Sequence, residues 1–287
     1  MEKMPNSVCW NITSRCNDKC QFCYREKNSK ELSFMEQKKV IDRIAASGIQ
    51  KLTFAGGEPL LISGLEELVL YAKRKGLIVS MTSNCILMTP ERLQFYFENL
   101  DWLTLSLDGA DAGVQTKMTR NSGHADRMIN ILSEASRKAD RKCRIKINTV
   151  VSQINKENIE EIADIVMKYP VARWKLFQFT PIRGNAKETK EKFEISENDF
   201  MEIAERMRAK LEGGKTIFSI SDSNNIENAY FVIFPNGDIR ISSDGEDHFL
   251  GNVLSRNIQK IWATGGYRKE LHEMRTGFIL KNKEMAG

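Results

Sequence analysis

The sequence predicts an α/β protein, a partial (β/α)6 TIM-like barrel with a C-terminal extension. First, short apolar runs of strand length alternate with helix-period stretches through most of the 287 residues, the order expected of βα units around a parallel sheet. Second, six such units follow one another before the pattern changes, which suggests a partial barrel. Third, several strands are polar on one face and apolar on the other, as a barrel with a ligand-lined interior requires.

In chain order, strands are expected near 8–13, 51–56, 77–83, 102–108, 143–151 and 173–180. Helices are expected near 34–47, 64–75, 90–98, 124–138, 157–168 and 196–211. After Gly213-Gly214 the pattern shifts to the strand-like run Thr216–Ser221. Tyr230–Ser243 follows, with Pro235-Asn236-Gly237-Asp238 between two apolar runs reading as a β-hairpin. A short helix is expected at Asn257–Ala263, ahead of a charged tail. Residues 1–212 are taken as the barrel domain and 213–287 as an extension that closes one edge or mouth. The segment Arg183–Phe193, rich in Lys and Glu, is expected to be a flexible loop.

In Trp102–Asp108, Thr104, Ser106 and Asp108 oppose Leu103, Leu105 and Leu107; in Arg144–Asn148, Lys146 and Asn148 oppose Ile145 and Ile147. Helices outside the sheet need the apolar face, so the polar face points inward. The interior is then a ligand cavity rather than a packed core.

The net charge of +5 is spread along the chain, which fits a solvated surface and does not argue for nucleic-acid binding. No apolar run approaches the roughly 20 residues needed to span a bilayer, and the start lacks a signal core. A cytoplasmic monomer that binds neither membrane nor nucleic acid is expected.

Cys16, Cys20 and Cys23 form a CxxxCxxC loop after the first strand. Thiolates are soft ligands, and three from one loop can grip three corners of a [4Fe–4S] cluster, leaving one iron open. An open iron can take the amino and carboxylate groups of a methionine moiety and reduce its sulfonium. A zinc site would need a fourth ligand, and His124, His248 and His272 are all distant in sequence. A four-cysteine cluster drawing on Cys9, Cys85 or Cys143 stays open on spacing alone. Ala55-Gly56-Gly57-Glu58-Pro59 follows the second strand, where two glycines allow close backbone approach and Pro59 stiffens the exit. Its N–H or carbonyl groups are expected to meet the methionine amine.

With both motifs in place, the sequence resembles the radical S-adenosylmethionine superfamily. The resemblance implies that Cys16, Cys20 and Cys23 bind the cluster and that Gly56, Gly57, Glu58 and Pro59 bind the methionine end of S-adenosylmethionine. It further implies Phe22 near the adenine, Ser83, Asn84 and Ser106 at the cosubstrate, and Arg120 on its carboxylate.

Substrate information lies on the fifth and sixth strands. Lys146 and Asn148 share one side, as do Arg173 and Lys175, with Lys51 adding a further cation. Positive charge concentrated in a barrel is costly without an anion, and a di- or triphosphate is the simplest partner. The runs Lys146–Val150 and Arg173–Gln178, joined to Cys16–Cys23 and GGEP, resemble the viperin family from about Asn11 to Phe179. Fainter similarity continues through Phe193–Glu205 and Ser219–Ile233.

That resemblance implies an enzyme that converts a ribonucleoside triphosphate (CTP, UTP or GTP) to its 3′-deoxy-3′,4′-didehydro analogue, a chain terminator in antiviral defence. Lys51, Lys146, Asn148, Arg173 and Lys175 would hold the nucleotide, and an external one-electron reductant would supply the cluster. The chain looks like a compact prokaryotic form. The family's serine before GGEP is Ala55 here, and an asparagine ahead of the cluster loop is Cys9. No catalytic proton donor is assigned; Tyr230 and Asp108 are candidates with structural roles as the simpler reading. Rival readings are a radical enzyme for another small anion such as a sugar phosphate, a glycyl-radical activase, and a non-catalytic iron–sulfur sensor.

Overall fold

All six strands expected between residues 8 and 180 form within two residues of their expected bounds, and so do the five helices expected between them and the sixth expected at 196–211. The computed structural model describes residues 4–118, 120–121, 123–138, 140–223, 228–243 and 246–276; the charged tail expected after the last helix lies outside them. In chain order the chain forms β1 (Ser7–Thr13), α1 (Phe34–Ala46), β2 (Lys51–Gly56), α2 (Leu65–Arg74), β3 (Ile78–Ser83), α3 (Pro90–Asn99) and β4 (Trp102–Ser106). It continues with α4 (Ala112–Lys117), α5 (His124–Arg137), β5 (Arg144–Val151), α6 (Ile159–Lys168) and β6 (Val171–Gln178). Beyond these come α7 (Gly184–Glu188), α8 (Lys190–Phe193), α9 (Glu197–Lys210), β7 (Ile217–Ser221), β8 (Val232–Ile233), β9 (Asp238–Ser243), β10 (Glu246–Asn252), α10 (Ile258–Thr264) and α11 (Lys269–Thr276).

Helix starts follow from capping chemistry. Ser33 and Glu36 form a reciprocal capping box on α1, while Thr89 with Pro90 opens α3 and Ser196 opens α9. Each main helix then lays one apolar stripe on the sheet, as with Val40, Ile41 and Ile44 of α1.

The strands run β10-β9-β8-β1-β2-β3-β4-β5-β6-β7 in one ten-stranded sheet, parallel from β8 through β1 to β7. The expected hairpin forms as antiparallel β8 and β9 around Asn236-Gly237, and β10, not anticipated, pairs with β9. Six strands separate β7 from β8 in that order, yet Ser221 on β7 meets the hydroxyl of Tyr230, just before β8, at 3.1 Å. The sheet therefore curls into a partial barrel, with the C-terminal strands extending it at both edges. Burial alternates along β5, with Ile145, Ile147, Thr149 and Val151 covered by helices and Lys146 and Asn148 on the inner, half-exposed face. On the outer side, the Trp174 indole donates to Thr149 Oγ1 at 2.9 Å, and Thr149 donates to the Leu107 carbonyl at 2.7 Å. These bonds tie β4, β5 and β6 together beneath full burial.

One expectation is corrected. Arg183–Phe193 is not a loop but holds α7 and α8, which pack Ala186 and Phe193 into a small apolar cluster with Cys20, Phe22, Met118 and Phe179.

Candidate active site

The cysteine loop begins where β1 ends. Thr13 Oγ1 bonds the Glu31 carboxylate and accepts the Arg15 N–H at 3.0 Å, turning the chain out of the sheet. Cys16, Cys20 and Cys23 are free thiols, and each sulfur accepts an N–H bond. Cys16 Sγ takes the Asp18 N–H at 3.4 Å and the Asn84 amide at 3.8 Å. Cys20 Sγ takes Arg120 Nη1 at 3.5 Å, and Cys23 Sγ takes the Arg25 N–H at 3.4 Å. Burial pushes the Cys16 and Cys20 thiols upward, so these two stay neutral until a cationic centre draws off their protons. Among the described residues no three His, Cys, Asp or Glu side chains stand together as a site for a single metal ion. The donor set suits a cluster instead: soft sulfurs from one loop, each already supplied with the N–H bond that stabilises a cluster thiolate. The other cysteines are engaged elsewhere, Cys85 buried against the Ser83 carbonyl and Cys143 at the opposite, amino end of β5.

The GGEP turn is built around that loop. A side chain on Gly56 would stand 2.4 Å from the Thr13 carbonyl oxygen, and one on Gly57 1.9 Å from that of Arg15. The glycines thus admit the cluster loop's own backbone. Gly57 N–H donates to Thr13 O and Glu58 N–H to Arg15 O, both at 2.8 Å. Neither of these N–H groups is free for a ligand, which narrows the expectation of N–H or carbonyl groups toward the carbonyls. Glu58 is fully buried, and its carboxylate accepts from Ser83 Oγ at 2.7 Å, Asn84 N–H at 2.8 Å and Leu60 N–H at 3.0 Å. Burial raises its pKa while these donors hold it down. Glu58 therefore fixes the turn to the end of β3, and Asn84 passes the link on to Asn17 at 2.9 Å. Pro59 opens a single 3₁₀ turn, Pro59–Leu61.

Arg120 is placed beside the same loop. It donates to Asp108 at 2.5 Å, lies 3.7 Å from Asp18, and stacks its guanidinium 5.1 Å from the Phe22 ring. Asp108 also accepts the Val150 N–H at 2.7 Å, which makes it a buried anchor between β4 and β5. Ser106 ends β4, its carbonyl meeting His124 Nε2 at 2.6 Å. Sequence reasoning missed the clasp that α7 and α8 form on the loop. Asn185 donates to Cys20 O at 3.1 Å, Ala186 N–H to Cys23 O at 3.2 Å and Thr189 to Gln21 O at 3.0 Å. Gly184, at φ 58°, permits the approach, because a side chain there would meet Arg25 O at 2.8 Å. That glycine was the available signal.

Below the rim the fold brings together the cations of β2, β5 and β6. Lys146 is the register partner of Arg173, and Asn148 of Lys175. Burial holds Lys146 well below the ordinary lysine range, and Lys175, Arg173 and Lys51 add to the depression. Burial, with Arg173 beside it, lowers Lys51 to about 8; Asp101 pulls the other way but is already paired with Lys73 at 2.7 Å. Burial likewise lowers Arg173 to about 10. Lys175 donates to the Tyr230 hydroxyl at 3.0 Å and Arg173 to Ser219 at 3.1 Å, while the Asn148 side-chain oxygen is buried without a partner among the described residues. Cys9 faces the same space, its thiol pushed up to about 11 by burial against the pull of Lys146 and Lys51.

The profile of the Radical SAM superfamily matches residues 10–167, and the chain belongs to that superfamily. It is a radical SAM enzyme, whose cofactors are a [4Fe–4S] cluster and S-adenosylmethionine, and its curated relatives are viperin-like. It is similar to the S-adenosylmethionine-dependent nucleotide dehydratase of Flammeovirga pacifica, 28% identical over 277 residues and 91% of each chain. It is also similar to the S-adenosylmethionine-dependent nucleotide dehydratase RSAD2 of Danio rerio, 32% identical over 213 residues, 70% of this chain and 59% of that one. The crystal structure of Streptococcus suis SuiB bound to precursor peptide SuiA shares the fold, with a TM-score of 0.73 at 17% identity over 93% of this chain and 66% of that one. No helix among the described residues is long and apolar enough to cross a membrane.

Proposed function

We propose that the protein dehydrates a ribonucleoside triphosphate (CTP, UTP or GTP) to the 3′-deoxy-3′,4′-didehydro nucleotide, a chain terminator that serves antiviral defence. One observation carries this reading: Lys51, Lys146, Arg173 and Lys175 converge in the barrel interior, where burial and the neighbouring cations lower Lys146 and Lys51. A polyphosphate relieves that repulsion, with the Arg173 fork and the lysine point charges dividing its oxygens. The orphaned Asn148 amide oxygen offers an acceptor to a sugar hydroxyl or base amine. At the rim, Cys16, Cys20 and Cys23 would hold the cluster, and the Gly56 and Gly57 carbonyls would accept the methionine amine. Phe22, Ser83, Asn84, Ser106 and Arg120 would line the rest of the cosubstrate.

Bound together, the cluster and S-adenosylmethionine supply a carbon-centred radical able to remove one hydrogen atom from ribose C4′. Overall the nucleotide loses that hydrogen and its 3′-hydroxyl, one electron is added, and one proton converts the leaving hydroxide to water. The chain's task is to hold the triphosphate in the lumen so that C4′ faces the rim. Anaerobic incubation of reconstituted protein with S-adenosylmethionine, dithionite and each of the four triphosphates tests this. One of them is expected to accelerate 5′-deoxyadenosine formation and give a product lighter by one water; no acceleration by any would overturn the reading.

A further inference from the structure

The cluster loop bears a cleft of about 650 Å³ that reaches Cys16 and is walled by Arg15, Arg25, Lys27, Lys30 and Glu31, with none of the lumen cations in its lining. Acidic residues nearby are already committed. Glu31 pairs with Arg15 at 2.9 Å, Glu26 with Arg240 at 2.9 Å, and Asp18 lies buried at Arg120. Lys27 and Lys30 are exposed and have no ion-pair partner among the described residues. Arg25 spends one nitrogen on the Ser14 carbonyl at 2.5 Å, which fixes its charge beside the cleft. Net positive charge therefore sits beside the partly exposed Cys16.

We propose that this cleft docks an acidic one-electron carrier protein, whose cofactor approaches the cluster past Cys16. The carrier is oxidised by one electron and the cluster reduced by one; no bond forms or breaks and no proton moves. Electron-transfer encounters are small, polar and transient, and complementary charge acts mainly on their association rate. A shallow cationic cleft beside a cluster ligand fits that kind of partner. The inference rests on the cluster at Cys16, Cys20 and Cys23, not on the nucleotide assignment.

The test uses reconstituted full-length protein and an acidic [2Fe–2S] ferredoxin as probe. Two quantities are read: the Kd for oxidised ferredoxin, and the second-order rate at which reduced ferredoxin bleaches the cluster. In the unaltered protein both are expected to weaken steeply between low salt and about 0.5 M salt as the charges are screened. The K27E/K30E variant is expected to lose roughly tenfold or more in both at low salt. Its iron content and its rate of reduction by dithionite should stay unchanged. Lys142, exposed just before β5 at the other end of the barrel, serves as control, and K142E should leave both readings intact. Salt-independent binding by the unaltered protein, equal losses in K27E/K30E and K142E, or an unchanged Kd in K27E/K30E would each overturn the docking surface. Tighter binding of an RNA oligonucleotide than of ferredoxin at this cleft would do so as well. Failure of the protein to take up iron would instead count against the cluster and leaves the Kd measurement to decide the surface.

Discussion

The rim and the lumen of this barrel are both crowded with polar side chains, but at the rim anions meet cations and donors, whereas in the lumen Lys146 is set among like charges. Glu58 is met by Ser83, Asn84 and Leu60, Arg120 by Asp108, and the loop carbonyls by Asn185, Ala186 and Thr189. In the lumen, the groups acting on Lys146 are three other cations and the Cys9 thiol. Satisfied networks rigidify, whereas concentrated like charge costs stability until an anion arrives. The rim is thus preformed, as a mount for the cofactors would need to be, and the lumen stores an electrostatic demand that an anionic substrate would meet.

The largest expected effect separates the two regions at the rim. Gly57→Ala drives a methyl group against the Arg15 carbonyl, displacing either the turn or the cluster loop. It should lower stability by about 1–3 kcal/mol and abolish S-adenosylmethionine cleavage, read by melting temperature and 5′-deoxyadenosine. In the lumen the signs should diverge. Lys146→Met removes a buried like charge, so the ligand-free protein should melt higher, while loss of a charge-assisted contact weakens triphosphate binding by about ten- to hundredfold. Slow uncoupled cleavage of S-adenosylmethionine should survive. A parallel fall in stability and binding would erase the contrast drawn here.

The pH dependence sharpens it. Lys51 is lowered to about 8, below its value in the unfolded chain, so from about pH 8 up to the ordinary lysine value the unfolded chain holds a proton that the native protein lacks. Stability of the ligand-free protein therefore rises with pH across that window. Triphosphate favours the charged lysine, so affinity should fall over the same range, and melting curves with and without nucleotide should converge. The smallest effect is expected at the clasp: Asn185→Ala forfeits one hydrogen bond to Cys20 O, about 1 kcal/mol, and should be seen as faster iron loss to a chelator rather than as lost affinity for nucleotide.

Much of this was legible in the sequence because it rests on short-range rules. Strand and helix bounds followed from periodicity and caps, the cluster loop from the spacing of Cys16, Cys20 and Cys23, and the lumen cations from alternation along Arg144–Val151 and Val171–Gln178. What escaped was long-range. Arg183–Phe193 has the charge of a solvated loop, and its order comes from carbonyls of residues 20–23 that no local pattern reveals. The N–H groups of Gly57 and Glu58 are consumed by Thr13 and Arg15, a contact that exists only once β1 and β2 lie side by side. Asp108 reads as a candidate acid in sequence, yet the fold commits it to Arg120 and Val150. Strand β10 has three of its seven residues exposed, Phe249 among them, so no apolar run announced it.

The central claim is that the cations on β2, β5 and β6 form a polyphosphate site. Its most direct test is calorimetric titration of the protein with a nucleoside triphosphate and with the matching nucleoside, in buffers of different ionisation enthalpy at about pH 9, above the value of Lys51. The triphosphate is expected to bind with net proton uptake, as Lys51, lowered to about 8 by burial, regains its charge, and the nucleoside far more weakly. Equal affinity for the two, or triphosphate binding without proton uptake, would contradict it.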